Sequence, residues 1–191
     1  MPLSEELRMV SILFNDNLIS IRAQRGIARY FGHLVEGAGQ HLGRIAAVCS
    51  PEPWQYGAAR HIPSLRFKGS WRIGLQDRIA SAAGWRLRPD VIFNAYYGNV
   101  QSDAAQVYPV YDMMHEMTAP GHPFIVQKRR CFYRAAALLP ISYHTANDLL
   151  RHYPDLDPAK IHPIPLGVDE RFFAQVQHPP CQRIANPIFS M

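Results

Sequence analysis

Short apolar segments alternate with helical segments along this chain, and polar or aromatic side chains follow most of the apolar segments. Apolar runs predict strands over residues 9–14, 44–49, 90–94, 107–111 and 138–141, with a weaker strand over 62–67 and a last strand over 160–166. Apolar residues at helical spacing predict helices that begin near Gly26, Trp71, Phe124 and Ser142. This alternation indicates an α/β fold built on a doubly wound parallel sheet.

Composition and cysteine usage indicate one globular domain in a reducing compartment. The chain has 191 residues, of which 48% are hydrophobic and 18% charged, as in ordinary water-soluble proteins. We expect a domain over residues 1–173 and a linker or tail over 174–191. The three cysteines are far apart, so no disulfide framework is predicted. The first residues lack the apolar core of a signal peptide, which favours a cytoplasmic protein.

Positive charge is concentrated between Arg60 and Arg88, where seven basic residues accompany one acid, Asp77. A solvated helix face is one interpretation, and a patch for anionic lipid or phosphate, formed by Arg66, Lys68 and Arg72, is another. In the following helix, Trp71, Leu75, Ile79 and Ala82 are expected to share a face. No zinc finger, aromatic RNA-binding strand or basic heptad is present, so no nucleic-acid partner is expected.

Ligands of open parallel sheets bind outside the carboxyl ends of the strands. In this chain the residues after the predicted strands are amides, carboxylates, imidazoles and aromatic rings, which suit a ligand rich in hydroxyl groups. The candidate substrate-binding residues are Asn15, Arg25, Gly26, Tyr96, Tyr97, Glu116, Ser142 and Thr145. The candidate catalytic residues are Asp112 and His115.

The densest cluster of titratable groups runs from Asp112 to Glu116. Asp112 and His115 could orient a sugar hydroxyl or exchange a proton with it near neutral pH. The alternative is that Asp112 caps the next segment and His115 is a surface histidine. With His122 the cluster could also be interpreted as a metal site, but no H-x-x-x-H spacing supports one, and no metal is predicted.

The other candidates each have a structural alternative. Gly26, preceded by Arg25, would let a ligand approach the first helix, or it would only permit a tight turn. The G-x-G-x-x-G pattern of dinucleotide sites is missing. Ser142 and Thr145 are typical of a helix start, and this capping interpretation is favoured. The Tyr96–Tyr97 pair could stack on a sugar ring or fill a loop.

Three motifs resemble the N-terminal domain of family 4 glycosyltransferases, which are retaining, nucleotide-sugar-dependent enzymes with two facing Rossmann-like domains. They are Y-D-M-M-H-E at 111–116, I-S-Y-H-T at 141–145 and I-P-L-G-V-D at 164–169. The resemblance covers residues 9 to about 173. It assigns the family's aspartate to Asp112 and offers His115 for the family's histidine. The family's first loop typically carries two glycines, and here Arg25 takes the place of one.

The resemblance implies transfer of a hexose from a nucleotide sugar to a glycan or lipid-linked acceptor, as in polysaccharide biosynthesis. It implies no cofactor in this domain, because the nucleotide sugar would bind mainly a second domain, without which the chain is expected to be inactive. It also implies work at the inner membrane face, with the Arg60–Arg88 stretch touching lipid. Two alternatives stay open: a stand-alone carbohydrate-binding or accessory subunit, and a small hydrolase using Asp112, His115 and Glu116. The lack of a recognisable nucleophile counts against the hydrolase.

Overall fold

A single six-stranded parallel sheet forms the centre of the molecule in the computed structural model, which describes residues 10–17, 26–41, 45–50, 60–64 and 71–167. Its strands are β1 (Ile12–Asn15), β2 (Ile45–Ser50), β3 (His61–Pro63), β4 (Val91–Asn94), β5 (Ala105–Val110) and β6 (Ala137–Pro140). They follow the order β3-β2-β1-β4-β5-β6, and every neighbouring pair is parallel. The predicted α/β fold with Rossmann-like topology is therefore confirmed. The predicted tail over 174–191 lies outside the described residues.

The helices flank the sheet and bury its two faces. They are α1 (Gly26–His41), α2 (Trp71–Leu87), α3 (Met114–Thr118), α4 (Pro123–Arg134) and α5 (Tyr143–His152). Phe31 of α1 packs against Phe14 and Phe93 on one face of β1 and β4. Helix α2 packs on the opposite face of the same strands, and α4 and α5 cover β5 and β6. Four of these helices match the predicted ones, whereas α3 was not predicted.

Pro109 lies inside β5, a strand with neighbours on both sides, without breaking a hydrogen bond of the sheet. Backbone groups of a strand point alternately to its two neighbours, and Ala105 donates towards β4 while Val110 accepts from the β6 side. Pro109 therefore directs its nitrogen towards β4, but the pairing with β4 ends two residues earlier, at Val107. The missing N–H of Pro109 therefore removes no hydrogen bond between neighbouring strands.

The strand predicted over residues 160–166 is wrong. His162 and Ile164 donate backbone hydrogen bonds to β6 carbonyls at 2.9 and 2.8 Å, so the segment does lie alongside β6. A regular ladder does not form, because Pro140 of β6 has no N–H to donate in return. Only an isolated bridge results. Because Pro163 and Pro165 also lack an N–H, the outer side of this segment is a poor template for another strand.

The buried face of α2 also differs from the predicted one. The structure buries Gln76, Asp77, Ala80 and Ala83, whereas Ala82 is exposed and both Leu75 and Ile79 are only half-buried. The helix is rotated so that two polar residues of its first half point into the protein. They bind the Asn15 side chain at the end of β1, and Asp77 also binds the backbone of Asn99 in the loop after β4. These polar contacts decide which face of α2 is buried. Among the described helices, none is long and apolar enough to cross a membrane.

Candidate functional site at the carboxyl edge of the sheet

The strand order reverses between β1 and β4, which is where ligands bind in open parallel sheets. β1 ends at Asn15 and β4 ends at Asn94, while the segments that begin at Asp112 and Ser142 follow β5 and β6 at the same edge. Gly26 begins α1, and a β-carbon placed there would meet no described residue within 4 Å. Arg25, Arg66 and Lys68 and the side chain of Arg72 lie outside what the structure describes.

Asn15 lies beneath this edge rather than on its surface. Its side chain is fully buried and donates to Asn94 Oδ1 at 3.0 Å and to Asp77 Oδ1 at 3.2 Å. Asn94 in turn donates to Gln106 on β5 at 3.0 Å. Gln76 of α2 donates to Asn15 at 3.2 Å, which completes a chain of four amides. Asn15 therefore ties three strands to α2, and its side chain is not available to a ligand in this arrangement.

Asp77 fixes the loop that follows β4. Its Oδ2 accepts the backbone N–H of Asn99 at 2.6 Å, and its Oδ1 lies against Gly98, where a β-carbon would not fit. Burial raises the pKa of Asp77, although hydrogen bonds from Asn99, Asn15 and Asn17 oppose the rise. The loop held in this way carries Tyr96 and Tyr97. The sequence does not indicate this role. Asp77 is the single acid of a basic stretch, and no recognisable motif surrounds it.

Four aromatic rings pack together at the carboxyl edge beside this loop and form an aromatic wall: Tyr30, Tyr96, Tyr111 and Phe124. The half-buried ring of Tyr96 stacks on Tyr111 and on Phe124, with centroids 6.2 and 5.4 Å apart and interplanar angles of 24° and 19°. Tyr111 meets Tyr30 of α1 edge-on at 6.2 Å. Tyr97 is only 2% exposed and belongs to the core, so it offers no ring face to a ligand. Of the two tyrosines, only Tyr96 is partly exposed.

The Tyr96 hydroxyl keeps its proton at neutral pH. Burial raises the pKa of Tyr96 to about 12, and the carboxylates of Asp112 and Glu116 contribute to the rise. Asp112 itself is exposed at the end of β5. Its Oδ1 accepts the backbone N–H of Met114, the first residue of α3, at 3.0 Å, although the N-cap position of α3 is Met113. Asp112 thus makes a local turn contact just before α3 and has an exposed carboxylate.

His115 adjoins the same wall. Its half-buried ring lies 4.8 Å from the ring of His122 and 5.1 Å from that of Phe124, measured between centroids. His122 caps α4, because its Nδ1 accepts the backbone N–H of Phe124 at 3.2 Å. The proline at position 123, the first residue of α4, is the sequence signal that could have identified this cap. His115 and Tyr96 therefore both contact the Phe124 ring, and Asp112 precedes His115 by three residues in the segment after β5.

The side chain of Glu116 is buried inside the protein and does not face the carboxyl edge of the sheet. Its side chain is 4% exposed, its Oε2 lies 2.8 Å from Lys128 Nζ, and its Oε1 accepts the Tyr153 hydroxyl at 2.7 Å. Burial alone would raise the pKa of Glu116, but the hydrogen bonds from Lys128 and Tyr153 outweigh it and lower the pKa. Glu116 is thus committed to internal partners. Lys128 was missed by sequence reasoning, because it belongs to a Gln-Lys-Arg-Arg run that resembles a solvated face.

Ser142 and Thr145 form the start of α5. Ser142 Oγ accepts the backbone N–H of Thr145 at 3.0 Å and lies 3.0 Å from its hydroxyl. Thr145 is buried. The two residues therefore make the capping contacts of a helix N-terminus, as the favoured sequence interpretation predicted.

Two cavities of about 230 and 290 Å³ lie on either side of α4. The first lies between α4 and the loop at Gly98, and the second between α4 and the end of α5, with Glu116 in its wall. Neither is lined by Asp112 or His115. In the same ranges, no three histidine, cysteine or acidic side chains cluster as metal ligands.

Comparisons with known proteins assign no family to this chain. The sequence matches no protein-family model, and no curated protein matches it.

Proposed function

We propose that this chain is the acceptor-side domain of a retaining glycosyltransferase that transfers a hexose from a nucleotide sugar to a glycan or lipid-linked acceptor. One observation carries the proposal: the segment after β5, at the carboxyl edge of a Rossmann-like sheet, carries the exposed Asp112 and the half-buried His115, whose ring contacts the same Phe124 ring that Tyr96 stacks on. The wall is suited to the apolar face of a sugar ring. The carboxylate and the imidazole are suited to its hydroxyl groups.

In this proposal the acceptor hydroxyl binds Asp112 and His115, and one of them takes its proton. The acceptor oxygen bonds to the anomeric carbon of the donor hexose as the bond from that carbon to the nucleotide diphosphate breaks, and the nucleotide diphosphate leaves with the electron pair. The nucleotide sugar binds mainly a second domain, which closes over the acceptor, positions both substrates and excludes water. We therefore expect the 191-residue chain by itself to bind acceptor weakly and to transfer nothing. The sequence motifs at 111–116 and 141–145 support this assignment.

A stand-alone carbohydrate-binding or accessory subunit would use the same edge without turnover. A hydrolase built on Asp112, His115 and Glu116 is less well supported. Glu116 is 4% exposed and bound to Lys128 and Tyr153, so it would have to leave two partners before it could act on a substrate.

The test separates the charge of Asp112 from its hydrogen bond with the Met114 N–H. Asp112→Asn keeps an oxygen that can accept the Met114 N–H but removes the charge, whereas Asp112→Ala removes both. With the two domains together and a panel of nucleotide sugars, we expect Asp112→Asn and His115→Ala each to reduce transfer by about 100-fold or more, the usual contribution of a positioned acid or base. The control is Asp103→Asn, which alters an exposed carboxylate before β5.

Wild-type transfer rates in both Asp112→Asn and His115→Ala would leave these residues with structural roles only. Glycan binding that is lost in both variants, without turnover of any donor by the wild type, would instead favour the binding subunit. Transfer by the purified 191-residue chain alone would contradict the proposed division of labour between two domains.

A further inference from the structure

A buried ammonium group lies directly behind the Asp112 segment. The Lys128 side chain is 1% exposed, and its Nζ lies 2.8 Å from Glu116 Oε2 and 3.0 Å from the backbone carbonyl oxygen of Asp112. The same group lies 5.4 and 6.0 Å from the ring centroids of Tyr97 and Phe132. Lysine is almost never fully buried unless it is paired. The position of Lys128 on α4 does not by itself account for the burial of its side chain.

The contacts of Lys128 hold α3, a short helix with few other contacts to hold it in place. α3 has five residues, and none of them is buried as a whole. Lys128 binds the chain just before α3 through the Asp112 carbonyl and binds α3 itself through Glu116. The hydroxyl of Tyr153, at the end of α5, donates to the second oxygen of Glu116 at 2.7 Å. α3 is thus clamped between α4 and α5 by polar contacts.

A buried ion pair is a poor way to gain stability. Removing two charges from water is costly, and apolar residues of similar size are often as stabilising or more so. What an ion pair supplies instead is a fixed geometry, since each charge has to meet its partner at one distance and angle. Here the fixed geometry includes the backbone carbonyl oxygen of Asp112, a residue at the carboxyl edge of the sheet.

We infer that Lys128 is a positioning residue for the candidate site. With Glu116 and Tyr153 it fixes the backbone from Asp112 to Glu116, so that the Asp112 carboxylate and the His115 ring face a ligand in one orientation. The inference about ligand binding rests on the proposed function. The inference about the order of the segment does not.

The decisive variant replaces all three partners together. Glu116→Leu, Lys128→Leu and Tyr153→Phe in one protein remove both charges and the hydroxyl, so no buried side chain of the clamp is left unpaired. Single substitutions at Glu116 or Lys128 would strand a buried charge and confuse positioning with stability. The matched control is Arg129→Leu, which removes the adjacent cation of α4, an exposed residue that lies over the Tyr133 ring at 5.6 Å.

Three methionines, Met113, Met114 and Met117, lie within or next to the segment and report on it directly. We expect methyl-labelled protein without ligand to give single sharp signals for all three in the wild type and in Arg129→Leu. In the triple variant, we expect these signals to broaden or multiply while the folded amide spectrum of the sheet is retained. In the two-domain protein, transfer should fall by about 100-fold in the triple variant, as expected for a misplaced reacting group.

A triple variant that is folded and keeps three wild-type methyl signals would overturn the inference, whatever the activity. If the triple variant does not fold, Tyr153→Phe decides, because it removes only one oxygen: broadened Met114 and Met117 signals support the clamp, and an unchanged spectrum overturns it. A disordered segment in a protein whose wild type neither binds nor transfers sugars would support the positioning role and refute the proposed function.

Discussion

The carboxylate of Asp77 holds the backbone of Asn99, with 2.6 Å between Oδ2 and the amide nitrogen. This contact joins α2 to the loop after β4 and leaves Gly98 pressed against the carboxylate. A β-carbon at residue 98 would come within 3.0 Å of both Asp77 Oδ1 and Asn17 Nδ2. The loop that carries Tyr96 is therefore positioned by a buried acid and a glycine.

We expect Gly98→Ala to destabilise the protein by about 1–3 kcal/mol, because the added methyl group has to displace buried polar atoms. The matched control is Gly37→Ala in α1, where a β-carbon meets nothing within 4 Å. That variant should gain up to about 1 kcal/mol from the helix preference of alanine over glycine. Urea unfolding of the two variants measures both effects. Equal stability of the two variants would contradict the close contact at Gly98.

The Glu116–Lys128 pair should make stability depend on pH in a defined direction. The pKa of Glu116 is lowered in the folded protein from its ordinary value of 4.5 and returns to that value on unfolding. The stabilisation is therefore fully present above about pH 4.5 and is lost as the pH falls through the folded pKa. We expect Glu116→Gln to cost about 3 kcal/mol or more at pH 7, because Lys128 is left buried without its counter-charge.

The measurement is the difference in free energy of unfolding between wild type and Glu116→Gln from pH 7 to pH 3. This difference should be constant at neutral pH and shrink in acid. The control, Glu36→Gln, alters an exposed glutamate of α1 and should stay within about 0.5 kcal/mol of wild type. A difference that grows as the pH falls would show that the pair does not favour the ionised carboxylate.

Ser142 provides a test of capping against ligand binding. Ser142→Ala removes the oxygen that accepts the Thr145 N–H and should cost about 1 kcal/mol, a typical loss for a helix N-cap. Ser142→Asp restores an acceptor and should recover most of the stability. If Ser142 acts only as a cap, glycan binding follows stability in both variants. Weak binding in a stable Ser142→Asp protein would give the hydroxyl a role with the ligand.

Most of the strands could be predicted because strands of a parallel sheet are covered on both faces and appear as continuous apolar runs, such as that around Phe14. α3 could not be predicted, since a five-residue helix with no buried residue has no apolar period. The last predicted strand failed for a reason that lies elsewhere in the chain. Pro140 removes the donor that its partner segment would need.

The candidate site was predictable in position but not in its internal arrangement. Parallel topology by itself brings Asp112 and Ser142 to one edge. The roles of Asn15 and Glu116 depend on partners distant in sequence, Asn94 and Lys128, and no local pattern signals such pairs. Lys128 shows this most clearly, because its neighbours Arg129 and Arg130 are exposed and only its partner, twelve residues earlier, explains its burial.

We expect the basic surface of α2 to bind an anionic membrane. Trp85 of α2 is 83% exposed, and Arg78, Arg86 and Arg88 are exposed on or beside the same helix. Asp77, the one acid between Arg60 and Arg88, is buried, so the surface of the described part of this stretch carries no carboxylate to offset the arginines. We therefore expect Trp85, rather than the predicted face with Leu75 and Ile79, to be the apolar anchor of this patch on a membrane.

Each arginine near an anionic bilayer contributes about 1 kcal/mol, and the attraction fades within a Debye length of about 8 Å at physiological salt. We expect sedimentation with vesicles that contain anionic lipid, little with neutral vesicles, and release by added salt. Arg78→Glu with Arg86→Glu should abolish binding, and Trp85→Ser should weaken it. Arg151→Glu, which alters an exposed arginine on α5, is the control for net charge. Binding that ignores lipid charge, or that Arg151→Glu reduces equally, would show that these arginines serve solubility and would favour a soluble acceptor over a lipid-linked one.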